Sequence, residues 1–113
     1  MQGYVETARR RQQQRQRYLE KQRQQALELA HHLAQRLREE FNVRRVVLFG
    51  SVLSETAFHE TSDLDLAVWG LPPAAYLKAL ARLSEQSEIP IDLVEAESAS
   101  PYIQEAIAHG MSL

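Results

Sequence analysis

From Tyr18 onward, apolar residues recur at Leu27, Ala30, Leu33/Ala34, Leu37 and Phe41. Steps of three and four are helical spacing, and they predict one helix from about Leu19 to Phe41, packed through that stripe. The stretch before it has no such pattern. From Arg9 to Arg17 the chain reads RRRQQQRQR, with no apolar residue at all. Arg and Gln form helices readily, yet a helix made only of them has no face to bury. Residues 1–17 therefore read as an exposed, basic, helical extension, and residues 18–113 as the folded domain.

Beyond Phe41 the period shortens. Arg45-Val46-Val47-Leu48-Phe49 is apolar at nearly every position, the pattern of a strand buried on both faces. Gly50-Ser51 ends it, and residues 52–61 read as a loop or short helix. Asp63 to Trp69 alternates strictly, with Leu64, Leu66 and Val68 on one face and Asp63, Asp65 and Ala67 on the other. Gly70 and Pro72-Pro73 break the chain. A helix is expected from Ala74 to about Gln86, with Leu77, Leu80, Ala81 and Ser84 on one side, followed by a third strand from Ile89 to Glu95. The last helix is expected to start at Ser98, with Pro101 in its first turn and Gly110 past its end. The order α-β-(short α)-β-α-β-α argues for a small sheet covered by helices, an α/β (α+β) class.

At 113 residues the chain is one ordinary domain, or a small domain plus an arm. Hydrophobic residues make up 44% and charged residues 25%, both near globular averages, so wholesale disorder is excluded. The absence of cysteine excludes a disulfide scaffold, a thiol nucleophile and a cysteine-bound metal. No apolar run approaches the ~20 residues of a membrane span, and the amino terminus lacks the apolar stretch of a secretory signal, so the expectation is a soluble cytoplasmic protein with no membrane partner. The net charge of −2 hides an asymmetry: residues 1–45 carry 11 Lys/Arg against 5 Glu, and residues 46–113 carry 2 against 10 acids. A basic arm on an acidic body suggests different partners for the two halves, with nucleic acid or an acidic protein surface as counter-charge for the arm.

The candidate chemistry lies in the acidic half. Asp63 and Asp65, at i and i+2 on a strand, project from the same face. In the third strand Ile91 and Leu93 point one way and Asp92 the other. If the two strands are neighbours, Asp92 stands beside the pair. At an effective dielectric of ~20, two like charges ~4 Å apart repel by roughly 4 kcal/mol, which a protein tolerates where a cation normally sits among them. Oxygen-only ligands favour Mg²⁺ or Mn²⁺, which also bind substrate phosphates. That suits phosphoryl or nucleotidyl transfer with two metal ions. Upstream, Gly50 permits close approach of a phosphate to the backbone, and the next N–H groups and the Ser51 hydroxyl can donate to it.

The combination LFGS…SDLDLAVWG…IDLVE resembles the minimal nucleotidyltransferases of the DNA polymerase β-like superfamily, whose signature is Gly-Ser, a spacer, Asp-x-Asp and a third carboxylate on a later strand. The resemblance covers roughly residues 30–113. It implies a nucleotidyltransferase fold in which Gly50 and Ser51 hold the terminal phosphates of ATP, Asp63 and Asp65 bind the metal ions, and Asp92 ligates the catalytic metal and helps take the proton from the attacking hydroxyl. It further implies an antitoxin that transfers AMP from ATP to a tyrosine of a HEPN-domain toxin. Two features depart from the family's pattern. Residues 52–62 make a spacer of eleven residues rather than ten, and Leu53-Ser54-Glu55 stands where Ala-Arg-Gly is common. Either nucleotide affinity is lower, or the triphosphate's cation comes from elsewhere, such as Arg44, Arg45 or the partner. Two other functions stay open: a module that neutralises its partner by occlusion, and transfer to a small molecule or an RNA end. Among the remaining residues, adjacent His31 and His32 point to different sides of a helix. His59 is expected on an exposed loop and His109 near a helix end, while Trp69 is expected to pack rather than stack on adenine.

Overall fold

A computed structural model describes residues 2–113; Met1 of the expected extension lies outside the described residues. The first element, α1, runs without a break from Gln2–Phe41, 40 residues. At ~1.5 Å per residue this is ~60 Å of helix, and the longest dimension of the molecule is 61 Å. The expected helix from Leu19 is therefore only the second half of α1. Residues 3–18 are exposed on every side, whereas Ala26, Ala30, Leu33, Ala34 and Leu37 are buried and Leu27 and Phe41 pack beside them. The helix ends at Asn42, whose φ of 54° places it in the left-handed region that Asn tolerates, and whose N–H closes on the Arg38 carbonyl at 3.1 Å.

Four strands follow: β1 (Arg45–Phe49), β2 (Leu64–Trp69), β3 (Ile91–Glu95) and β4 (Met111–Ser112). They form one mixed sheet in the order β3-β2-β1-β4, with β2 and β3 parallel and the other pairs antiparallel. This is the expected α+β class. β1 is buried on both faces because both are covered. Val46 and Leu48 face α1 and α2 (Tyr76–Glu85) together with Leu64, Leu66, Val68 and Leu93. Val47, Phe49 and Ala67 face α3 (Pro101–Ala108) through Ile107, Ile103 and Ala106.

Three expectations need correcting. The inner face of α2 is Ala79 and Leu83, with Tyr76 and Leu80 partly buried; Leu77 is 76% exposed, and Ala81 and Ser84 are exposed too. YLKALARLSE carries two apolar stripes about 100° apart. The Tyr76 hydroxyl, donating to the Leu93 carbonyl at 2.6 Å, and the small Ala79 seat the other one. The cap of α3 is Ser100, not Ser98: its side chain accepts from the Ile103 N–H. Finally, β4 pairs Met111 with Leu48 and Ser112 with Val47, a two-residue strand that no periodicity could announce.

Candidate active site

The register of the sheet sets the site. Phe49, Asp65 and Asp92 are opposite one another across β1, β2 and β3. The Asp65 side chain shares its face with Asp63, which precedes β2 and is exposed. Asp65 is half-buried, while Asp92, on the edge strand, is exposed rather than buried. Burial pushes the Asp65 carboxyl up to about 6, helped by the charges of Asp92 and Asp63 and by a hydrogen bond with Asp92 that favours the protonated form. No Lys or Arg forms an ion pair with any of the three among the described residues.

The Gly50 turn closes the site from the β1 end. Gly50 has φ 88° and ψ −158°, a conformation open essentially only to glycine. A Cβ there would overlap the Asp65 carboxylate, whose Cγ would lie at 3.1 Å. Ser51–Leu53 then makes a short 3-10 turn, with Leu53 N–H donating to the Gly50 carbonyl at 3.2 Å and Ser54 N–H to the Ser51 carbonyl at 3.0 Å. Gly50 thus abuts Asp65 directly, with Ser51 next along the turn. The remainder of the spacer is tied down by Ser62, whose hydroxyl accepts from the His59 N–H at 2.9 Å just before Asp63.

These donors suit a hard divalent cation: they are carboxylate oxygens crowded without counter-charge, beside a turn with room for nothing larger than hydrogen at its glycine. They are not a preformed cage. Among the described residues, no three acidic or histidine side chains are drawn together closely enough to enclose an ion. Asp65 and Asp92 form the hydrogen-bonded pair, and Asp63 acts on Asp65 through its charge. Asp63 and Asp92 are both exposed. A cleft of about 770 Å³ lies between α1 and the spacer, lined by Gln13, Arg17, Glu55 and Phe58 among others. A second, of about 440 Å³, lies at Arg45 and Trp69.

Arg44 and Arg45 do not supply a cation to this site. Arg45 is opposite Trp69, four residues along the ladder from the Phe49–Asp65 pair, or ~13 Å at ~3.3 Å per residue. There Arg45 covers the Trp69 ring at 4.7 Å, and Arg44 reaches Glu97 at 3.4 Å. Trp69, partly buried, packs against the cluster on the α3 face of the sheet. His31 and His32 are exposed, and His32 meets Gln86 at 3.2 Å. His59 holds its own loop through Thr61, and His109 binds the Glu105 carbonyl at 2.9 Å near the end of α3. The residue that sequence reasoning missed is Arg23, the cation that does reach the turn: its guanidinium donates to the Val52 carbonyl at 3.0 Å. The only trace in the sequence is an arginine three residues after Glu20, where the apolar stripe begins.

The family model described as polymerase beta, nucleotidyltransferase matches residues 31–113. No curated protein is similar to the chain at a significant level. Among solved structures, a crystal structure of the toxin–antitoxin MntA-HepT is similar at 22% identity, over 74% of this chain and 68% of that one, with a TM-score of 0.58. A toxin–antitoxin structure with AMP-PNP is similar at 24% identity, over 73% and 68%, with a TM-score of 0.58. A mutant of the toxin–antitoxin MntA-HpeT is similar at 24%, over 74% and 70%, with a TM-score of 0.62. At these identities the likeness is one of fold. No helix among the described residues is long and apolar enough to cross a membrane.

Proposed function

This chain belongs to the polymerase beta nucleotidyltransferase family, and from that premise we propose that it transfers AMP from ATP to a hydroxyl, most simply a tyrosine of a HEPN-domain partner toxin, and so acts as the antitoxin. The observation that carries the reading is the half-buried Asp65, pushed up by burial and by the charges of Asp92 and Asp63, lying against the Gly50 turn with no Lys or Arg paired to it among the described residues. Such a site is electrostatically unfinished, and a magnesium nucleotide completes it. The similar fold of the toxin–antitoxin structures, one of them with AMP-PNP, supports the choice of nucleotide and of partner.

In this reading Asp63, Asp65 and Asp92 hold Mg²⁺, with two ions expected, and Gly50 and Ser51 hold the terminal phosphates of ATP. Bound Mg²⁺ neutralises the triphosphate and lowers the charge building on the leaving pyrophosphate. The acceptor oxygen attacks the α-phosphorus. A new O–P bond forms, the bond from that phosphorus to the bridging oxygen breaks, and pyrophosphate leaves with the electron pair. The acceptor proton goes to the Asp92 carboxylate, the exposed member of the pair and hence the one an incoming hydroxyl meets first. Exposed Asp63 and Asp92 leave the site within reach of an acceptor that brings its own binding surface, as a folded protein does. Residues 18–113 form the catalytic unit. The arm contacts nucleic acid: from Arg9 to Arg17 it carries five arginines and no apolar residue, and a polyanion needs only its charge.

The experiment is incubation of the chain and its partner with labelled ATP and Mg²⁺. The expected result is label on the partner, a mass gain of one or more AMP, and pyrophosphate release that EDTA stops. A partner neutralised without label, by a chain that releases no pyrophosphate, would replace transfer with occlusion. Label on an RNA end or a small molecule instead would keep the chemistry and change the acceptor.

A further inference from the structure

Arg23 sits where α1 passes from open arm to packed helix, and its side chain is only 11% exposed. Its Nε and Nη2 donate to the two carboxylate oxygens of Glu20, both at 3.0 Å. Nη2 also lies 3.7 Å from Glu55 in the spacer, and Nη1 donates to the Val52 carbonyl at 3.0 Å. A guanidinium taken out of water needs such partners. Glu20, three residues away on the same helix, would satisfy it equally well in solvent. The contact that draws Arg23 inward is therefore the one across the chain, to Val52.

Val52 is the central residue of the 3-10 turn and is fully buried. The Gly50 and Ser51 carbonyls are already taken by the Leu53 and Ser54 N–H groups, and Arg23 takes the Val52 carbonyl. Three successive carbonyls are thus committed, and the turn cannot swing one of them toward an incoming anion, where it would repel. Glu55, the acid that stands in the spacer, is held on the same guanidinium, so its charge is offset where it sits.

We infer that Arg23 is a positioning residue, through which α1 holds the Ser51–Leu53 turn so that Gly50 and Ser51 receive the nucleotide's phosphates. The inference rests on the phosphate role given to that turn above. Arg23 touches neither nucleotide nor acceptor; it acts by denying the turn other conformations. Its removal should raise the ligand concentration required and leave the bound complex's chemistry nearly intact.

The test compares Arg23→Gln, Arg23→Lys and Glu55→Gln with the unaltered chain by titration calorimetry with AMP-PNP and Mg²⁺, and by amide hydrogen exchange at Leu53 and Ser54. Arg23→Gln should weaken AMP-PNP binding roughly tenfold, the scale of one charge-assisted hydrogen bond, with faster exchange at both amides and an unchanged far-UV spectrum. In turnover, the loss should fall on KM, with kcat altered less than about threefold. Arg23→Lys, which can still reach Val52 with one donor, should recover part of the affinity, and Glu55→Gln should stay within about twofold. Unchanged affinity in Arg23→Gln, with the unaltered chain binding AMP-PNP, would overturn the inference and leave the proposed function standing. No AMP-PNP binding by the unaltered chain would overturn both.

Discussion

Two regions of this molecule crowd like charges, and they do so in opposite ways. In the arm, Arg9, Arg10, Arg11, Arg15 and Arg17 all stand exposed. Water and salt screen them from one another beyond ~8 Å, and the one ion pair among them, Arg15 with Glu60 at 2.8 Å, has both side chains more than half exposed and is worth ~0–1 kcal/mol. At the junction of β2 and β3 there are only three carboxylates, yet one of them is half-buried and pushed up to about 6. The arm holds more charge; the sheet holds charge that the fold has made unfavourable. Density of charge along a sequence therefore marks little by itself. Its partial burial without a counter-ion marks a place where something else is meant to bind.

The strongest break of this comparison is substitution at the sheet. Asp65→Asn should lower nucleotidyl transfer by on the order of 10³-fold, the scale of losing one preorganised electrostatic group, while the metal-free chain remains folded and becomes more stable at neutral pH. Arg9, Arg10 and Arg11 changed together to Gln should leave transfer to an added tyrosine peptide within about twofold. Pyrophosphate release with both proteins checks this; comparable losses would mean that the two charge clusters are not functionally distinct.

Glycine separates the regions next. Gly50→Ala places a Cβ against the Asp65 carboxylate, in a backbone conformation of φ 88°. Strain of that kind is worth ~1–3 kcal/mol, visible as a lower denaturation midpoint, and nucleotide binding should go with it. Gly3, in the arm, has no atom near the position its Cβ would take. Gly3→Ala should leave stability unchanged or raise it, by up to ~0.5 kcal/mol near a helix end.

A third difference is pH. The Asp65 carboxyl is raised in the folded state from 3.8 to about 6, so between those values the folded chain binds the proton that the unfolded chain has released. Metal-free stability should therefore fall as pH rises from about 4 to about 6, and level off above. The side chain is half in water, which discounts the full shift to ~1 kcal/mol. Urea denaturation in EDTA across that window checks the slope. Asp65→Asn should remove it, and Mg²⁺ should recover the lost stability at pH 7 if the carboxylates hold the ion.

Much of this contrast was legible beforehand, for physical reasons that also mark where reading failed. β1 and β2 were readable because a strand between two covered faces must be apolar throughout, and one with an acidic half-face must alternate. The face shared by Asp63 and Asp65 follows from that alternation alone. The exposure of Asp92 did not, because nothing in IDLVE states that β3 is the sheet's edge. The continuity of α1 through RRRQQQRQR rests on helix propensity without burial, so no periodicity announced where the helix began. The face of α2 was chosen by a hydroxyl on a distant carbonyl, Tyr76 on Leu93, and Arg23 by a carbonyl 29 residues along the chain. Local pattern records neither.

The smallest effect is the one that isolates the arm. A chain starting at residue 18 removes 16 described residues of α1, of which 3–17 are exposed, and keeps every buried residue from Ala26 onward. Its stability should match that of the full chain to within ~0.5 kcal/mol, the Arg15–Glu60 pair being the main loss. Binding to a labelled nucleic-acid duplex should behave in the opposite manner. With five arginines available, log K for the full chain should fall with log salt at a slope of about −4.5, or 0.9 per phosphate neutralised, and the truncated chain should lose that slope together with the binding. A truncation that destabilised the fold by more than ~1 kcal/mol would mean that the arm is held by the acidic body, and its charge would then belong to the domain.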